Sequence, residues 1–169
     1  LGFFLSGIDV AILRKGFTAI ELMVILLVVA ILAAIAVPNY SEQIASAQIS
    51  QSITLADMAK SAVAAQYALN HSFPSDNAAA GIPPANFIVS NYVSALTVEN
   101  GAITLTFGNQ ANGRIKGKFL TLRPAFVPAY PQVPIAWICG MANVPGNMTA
   151  TGVNKTNLTV AELPFACRA

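Results

Sequence analysis

Arg14-Lys15-Gly16-Phe17-Thr18-Ala19-Ile20-Glu21 opens onto Leu22 to Val37, a run without one charged or strongly polar residue, and Pro38 closes it. Phe17 to Val37 is 21 residues. As an α-helix that length spans roughly 31 Å, close to the hydrocarbon thickness of a bilayer. Arg14 and Lys15 lie on its N-terminal side, so that end stays cytoplasmic and everything after the helix is exported. The pattern predicts an exported domain held at the membrane by its own N-terminal helix.

Glu21 is the anomaly in this helix. A carboxylate deep in an apolar span costs about 2.5–3.5 kcal/mol on insertion scales and usually has a partner. One reading makes it a helix-start acid near the headgroups, favoured by the helix dipole. The other pairs it with a positive charge on another copy of the same helix. Cleavage after Gly16 would create such a charge, because Phe17 would then carry a free α-amine.

The segment RKGFTAIELMVILLVVAILAAIAVPNY, residues 14–40, resembles the N-terminus of type IV prepilins. The similarity continues through AQISQSITLADMAKSAVAAQY and YVSALTVENGAITLTFGNQANGRIKGKFLTLRP to a C-terminal cysteine pair, which is the pattern of type IVa major pilins. The resemblance implies that a dedicated peptidase cuts after Gly16 and N-methylates Phe17. It implies that Glu21 neutralises the N-terminal amine of a neighbouring subunit during assembly, and that Pro38 kinks the helix. Two departures stand out. Ala30 occupies a place where the family often carries glycine; alanine is the better helix former by roughly 1 kcal/mol, so helix loosening is limited or confined nearer Pro38. Leu1 to Leu13 is largely apolar, whereas leaders of this family tend to be short and polar.

Composition agrees with a self-associating chain. Of 169 residues, 55% are hydrophobic and 9% charged, too apolar for a freely soluble monomer of this size. The formal charge of +2 falls by one on cleavage, since Asp9, Arg14 and Lys15 leave together. Low charge argues against a strongly electrostatic partner and favours dense packing of like copies. Cys139 and Cys167 both lie in the exported part, where an even count reads as one disulfide. Closing that loop stabilises the fold by about 3.6 kcal/mol in the chain-entropy model. The other reading is two buried thiols. A metal site is less favoured, because His71 is the only histidine and is distant in sequence. No cofactor is implied.

Residues 43–70 keep helical spacing and lack Gly and Pro. Ile49, Ile53, Ala56, Ala59, Val63 and Tyr67 form one apolar stripe; Ile44, Leu55, Met58, Ala62 and Leu69 form a second beside it. A helix apolar over more than half its circumference must be covered on two sides: one by the chain's own sheet, the other by neighbouring subunits. A loop over 71–91, punctuated by Pro74, Pro83 and Pro84, precedes the strand signals. Tyr92 to Val98 and Ala102 to Phe107 flank Glu99-Asn100-Gly101, and Asn-Gly marks a hairpin. Further strands are predicted from about Lys118 to Arg123 and over Ile135 to Cys139. The expected fold is α+β: a long N-terminal helix, half transmembrane and half amphipathic, on a four-stranded antiparallel sheet, with a disulfide-bounded loop over 139–167. The expected organisation is a leader at 1–16, a filament-core helix half at 17–42 and a globular domain at 43–169.

No catalytic constellation is evident: acids are scattered singly and no Ser or Cys sits in a nucleophile motif, so no enzyme activity is expected. Gly108 to Arg114 lacks the lysine and hydroxyl of a phosphate-binding loop and reads as an inter-strand loop. His71 reads as a helix-terminal residue favoured by the dipole. Arg114, Lys116, Lys118 and Arg123 are candidates for weak, multivalent DNA contact, although a solvated strand edge guarded by lysines is favoured. Asn147-Met148-Thr149, Asn154-Lys155-Thr156 and Asn157-Leu158-Thr159 match the glycosylation triplet, and read as turn-rich loop in a bacterial protein.

The resemblance therefore implies a major subunit of a type IV pilus. It would be held in the bacterial inner membrane as a precursor, then polymerised with copies of itself into an extracellular fibre by an assembly ATPase and membrane platform. Twitching motility, adhesion and DNA uptake are the roles implied. The rivals are a type II secretion pseudopilin, and a minor pilin that binds DNA or a surface ligand. Pseudopilins tend to carry acidic calcium-binding loops, whereas Glu162 is the only acid after Cys139.

Overall fold

The computed structural model describes residues 16–169, and at 37–39 the backbone only. The expected leader lies outside the described residues except for Gly16. The chain divides into two compact units, Leu1–Pro38 and Asn39–Ala169. Helix α1 (Ala19–Ile53) supplies the first and enters the second. In the first unit every residue from Phe17 to Ala36 is exposed, the large apolar side chains ranging from 46% for Ile25 to 78% for Phe17.

The second unit builds a complete core of its own. Ala45 and Ile49 of α1, then Ala56, Ala59, Val63 and Tyr67 of α2 (Ala56–Asn70), are buried at helical spacing. This is the first predicted stripe, with Ile53 half-buried beside it. On the second stripe Met58 and Leu69 are exposed, while Ile44, Leu55 and Ala62 are half-buried, Leu55 against the domain's own core.

The predicted unbroken helix over 43–70 is corrected by a tight turn at Thr54-Leu55 between α1 and α2. There the backbone bonds shorten to three residues, Leu55 N donating to Ser52 O at 3.1 Å and Asp57 N to Thr54 O at 3.2 Å. Hydroxyls compete for the carbonyls on the approach: Ser52 Oγ donates to Gln48 O at 2.7 Å and Thr54 Oγ1 to Gln51 O at 2.7 Å. Ser and Thr back-bonding of this kind disturbs a helix interior.

The sheet is an antiparallel meander of β1 (Val93–Glu99), β2 (Ala102–Phe107), β3 (Phe119–Phe126) and β4 (Ala136–Cys139). At the first hairpin Asn100 and Gly101 both have positive φ, 49° and 81°, as the Asn-Gly signal requires. Register aligns apolar rows Leu96–Leu105–Leu120 and Val98–Ile103–Leu122 on the core face, and Thr97–Thr104–Thr121 on the other. Burial of each such leucine contributes about 1.5–3 kcal/mol.

Four strands were expected and five are present among the described residues: β5 (Thr149–Ala150) pairs with the end of β3. β3 also runs past Arg123, through Pro124. Proline lacks the N–H that an interior strand donates, and Pro124 escapes the penalty by position. Its carbonyl accepts from Thr151 N at 3.0 Å, on the edge that β2 has left after pairing with Leu122. The loop over 71–91 folds back through Asn77, which is buried. Asn77 donates to Leu96 O at 2.9 Å and accepts from Val98 N at 2.6 Å, occupying the β1 edge as a further strand would.

Candidate assembly site

Glu21 sits in the first turn of α1 within a reciprocal cap. Thr18 N donates to Glu21 Oε2 at 2.9 Å, Thr18 Oγ1 donates to the same oxygen at 2.8 Å, and Glu21 N donates to Thr18 Oγ1 at 3.3 Å. This is a capping box, which satisfies orphan donors at a helix start. The cap realises the helix-start reading of Glu21 in the single chain. Its signal, Thr18-x-x-Glu21, is local, although the apolar run that follows dominates the sequence.

Pairing between copies remains open to the same carboxylate, since the cap engages Oε2 and leaves Oε1 for another donor. Phe17, Ile20, Glu21, Val24 and Ile25 line a recess of about 290 Å3 on the uncovered helix surface. A Cβ at Gly16 would meet no atom within 4 Å among the described residues, which impose no steric need for glycine there. The backbone of α1 is helical through Pro38.

At the other end of the chain Cys139 and Cys167 are joined, with Cα atoms 4.6 Å apart. The bond is buried, Cys167 being fully shut off from solvent. The loop it bounds is stitched to the edge of β3 beyond the end of β4: Phe119 N donates to Asn157 Oδ1 at 2.7 Å and Thr121 N to Thr156 Oγ1 at 3.0 Å. A half-buried ion pair adds to this. Lys118 Nζ donates to both oxygens of Glu162 at 2.8 Å, and Thr159 N donates to Glu162 Oε2 at 2.9 Å. Burial raises the Glu162 pKa, but donation from Lys118 and from Thr159 outweighs it and holds the carboxyl below its ordinary value of 4.5. Sequence reasoning missed this pair; the one signal was that Glu162 is the loop's lone carboxylate.

The four candidate DNA-contacting cations do not form one free patch. Arg114 Nη1 donates to Glu42 at 3.1 Å, Lys116 Nζ to Asn109 O at 3.1 Å, and Lys118 is consumed by Glu162. Arg123 lies on the strand face opposite Leu120 and Leu122, with its Nε buried and without a partner among the described residues. Two of the four charges are thus neutralised within the subunit.

The family model described as "Pilin (bacterial filament)" matches residues 45–165. The chain is 40% identical over 164 residues to a type IV major pilin protein PilE1 of Neisseria gonorrhoeae, spanning 92% of this chain and 88% of the relative. It is 39% identical over 167 residues to a fimbrial protein of Neisseria meningitidis serogroup A, spanning 92% and 95%. A fimbrial protein EcpC of Eikenella corrodens is 40% identical over 115 residues, spanning 65% and 74%.

Proposed function

Since the chain belongs to the type IV pilin family and is a structural subunit of a pilus, we propose that it is the major subunit, assembled by pairing Glu21 of one copy with the Phe17 α-amine of another. The observation that supports this most is the contrast in coverage. Asn39–Ala169 closes its own core, while Phe17 to Ala36 is apolar and bare. Such a shaft has two homes, lipid before assembly and the shafts of other copies after it.

The route runs as follows. The precursor lies in the inner membrane with Arg14 and Lys15 on the cytoplasmic side. A prepilin peptidase cuts after Gly16 and methylates the Phe17 amine, which stays protonated and positive. The glycine requirement belongs to that enzyme, in keeping with the lack of any close neighbour to Gly16 among the described residues. Glu21 then meets the amine of a neighbour; because Thr18 already holds Oε2, the carboxylate is oriented before the partner arrives. The charge pair sets axial register, and burial of the shafts against one another supplies most of the stability. Pro38, whose ring removes a backbone donor, is where the helix is weakest at the end of the shaft. An assembly ATPase and platform drive the process, and the fibre serves motility and attachment.

Relatives named as major pilins favour this over a pseudopilin or a minor pilin. A DNA role for Arg114, Lys116, Lys118 and Arg123 is not favoured, given the internal pairing of Arg114 and Lys118. Glu21→Ala tests the mechanism. The variant is expected to be cleaved normally while sheared fibre yield falls at least tenfold, an energy of about 1.4 kcal/mol or more per subunit; undiminished fibre yield contradicts the pairing.

A further inference from the structure

Phe165 is the most exposed large apolar side chain among the described residues, at 89%, more open even than Phe17 of the shaft. Its backbone cannot withdraw it. Pro164 restricts the chain before it, and Cys167 N donates to Pro164 O at 2.9 Å to close a single 3-10 turn, Phe165–Cys167. The disulfide to Cys139 then ties that turn to β4. Val160, Ala161 and Ala166, close to it in sequence, are exposed as well. An aromatic ring on a pinned backbone can be buried by a partner with little further loss of chain entropy.

A recess of about 590 Å3 lies between α2 and the β3–β4 loop, residues 127–135, lined by Ala64, Ala68, Val133, Pro134 and Trp137 among others. Tyr67 forms its floor, buried and already stacked on Phe73 with ring centroids 4.4 Å apart. The loop is set by consecutive turns, Tyr130 N donating to Val127 O and Val133 N to Tyr130 O, each at 3.0 Å. No charged side chain lines the recess, and its polar members His71 and Gln132 are exposed and keep their water. Small aliphatic side chains, prolines and one indole suit an apolar ring and offer nothing to an ion.

Knob and recess lie far apart on the same domain. Arg168, just past the turn of Phe165, shares a groove with Ser46, Ala47 and Ser50 of α1, together with Ala161. The recess is walled by α2 about twenty residues further along, roughly 30 Å at helical rise. Phe165 therefore cannot fill the recess of its own copy. A contact between two different surfaces of like molecules repeats head to tail and leaves one knob and one recess free at the ends, which builds an open filament. We propose that Phe165 of one copy seats in this recess of a second copy, joining outer domains in rows along the fibre. The inference rests on the chain being a pilus subunit and adds a contact separate from the Glu21 pairing.

The test places photo-reactive benzoylphenylalanine at position 165 in a minor fraction of subunits co-assembled with wild-type chains, so that fibre formation does not hinge on the variant. Illumination of sheared fibres is expected to join position 165 to a peptide within 64–71 or 131–137 of another copy, read by mass spectrometry. Trp137 is the only tryptophan in the chain. Its quenching by acrylamide is expected to be at least threefold weaker in wild-type fibres than in detergent-dispersed subunits, and Phe165→Ser fibres should lose that protection. Cross-links absent or confined to other segments, or full protection in Phe165→Ser fibres, would overturn the contact. Glu21 is intact in every one of these fibres, so that result would leave its pairing standing, whereas undiminished yield of Glu21→Ala fibres would contradict the pairing alone.

Discussion

From Phe17 to Ala36 no side chain is buried, whereas from Asn39 onward Ile49, Val63, Leu96, Leu105 and Leu120 are completely removed from solvent. The shaft is by far the richer in Leu, Ile and Val, yet apolar content alone does not decide what a segment does. Pattern decides it. The shaft is apolar on all sides, which one sheet could not cover. The domain alternates along its strands and repeats at helical spacing along α2, so its apolar residues converge on one another. The shaft depends on its surroundings and the domain depends on itself.

That separation can be broken from either side. Phe107→Ala, which empties a fully buried position, should cost the domain about 3–5 kcal/mol. Thermal melting of the full-length subunit should show the loss while leader cleavage proceeds at the wild-type rate. Cys139→Ser should remove about 3.6 kcal/mol from the same domain in the chain-entropy model, again with cleavage unaffected. If either substitution blocked cleavage, the two units would not be independent. From the other side, Val28→Asp places a second carboxylate in the shaft at a cost of about 2.5–3.5 kcal/mol. It should abolish fibres and leave the melting of the domain in place.

The smallest effect concerns the Lys118–Glu162 pair. Glu162→Gln should cost about 1–2 kcal/mol, discounted from the range for fully buried pairs because Lys118 is partly exposed. The folded carboxyl lies below its ordinary value. Its stabilisation is therefore complete above the unfolded pKa and is lost as pH falls through the folded one. Acid melting curves should fall more steeply for the wild type than for Glu162→Gln below about pH 4.5. Parallel curves would assign the acid response to another carboxylate.

Legibility followed the same divide. The shaft, its flanking charges and the out-of-place Glu21 stood in one contiguous stretch, and the Asn100-Gly101 hairpin was signalled locally. What sequence reasoning missed depended on distant partners. The third predicted strand stopped at Arg123, because nothing in the sequence shows that β2 stops short and frees the edge at Pro124. Thr149–Ala150 is too short for a periodic signal and is a strand only by virtue of β3. The turn at Thr54-Leu55 comes from hydroxyls competing with backbone donors, a small effect inside a strongly helical pattern. Lys118 and Glu162 are 44 positions apart, and neither carries a motif. Thr18 is the exception, since its capping box was local and readable.

The most direct test of the account is an image of the assembled fibre at side-chain resolution, read at the Glu21 carboxylate. The account predicts an amine nitrogen of Phe17 from an adjacent copy within about 4 Å of Glu21, the reach of an ion pair, with Thr18 still on the other oxygen. A fibre in which every Glu21 rests on its own Thr18, with no neighbouring amine in reach, would contradict it.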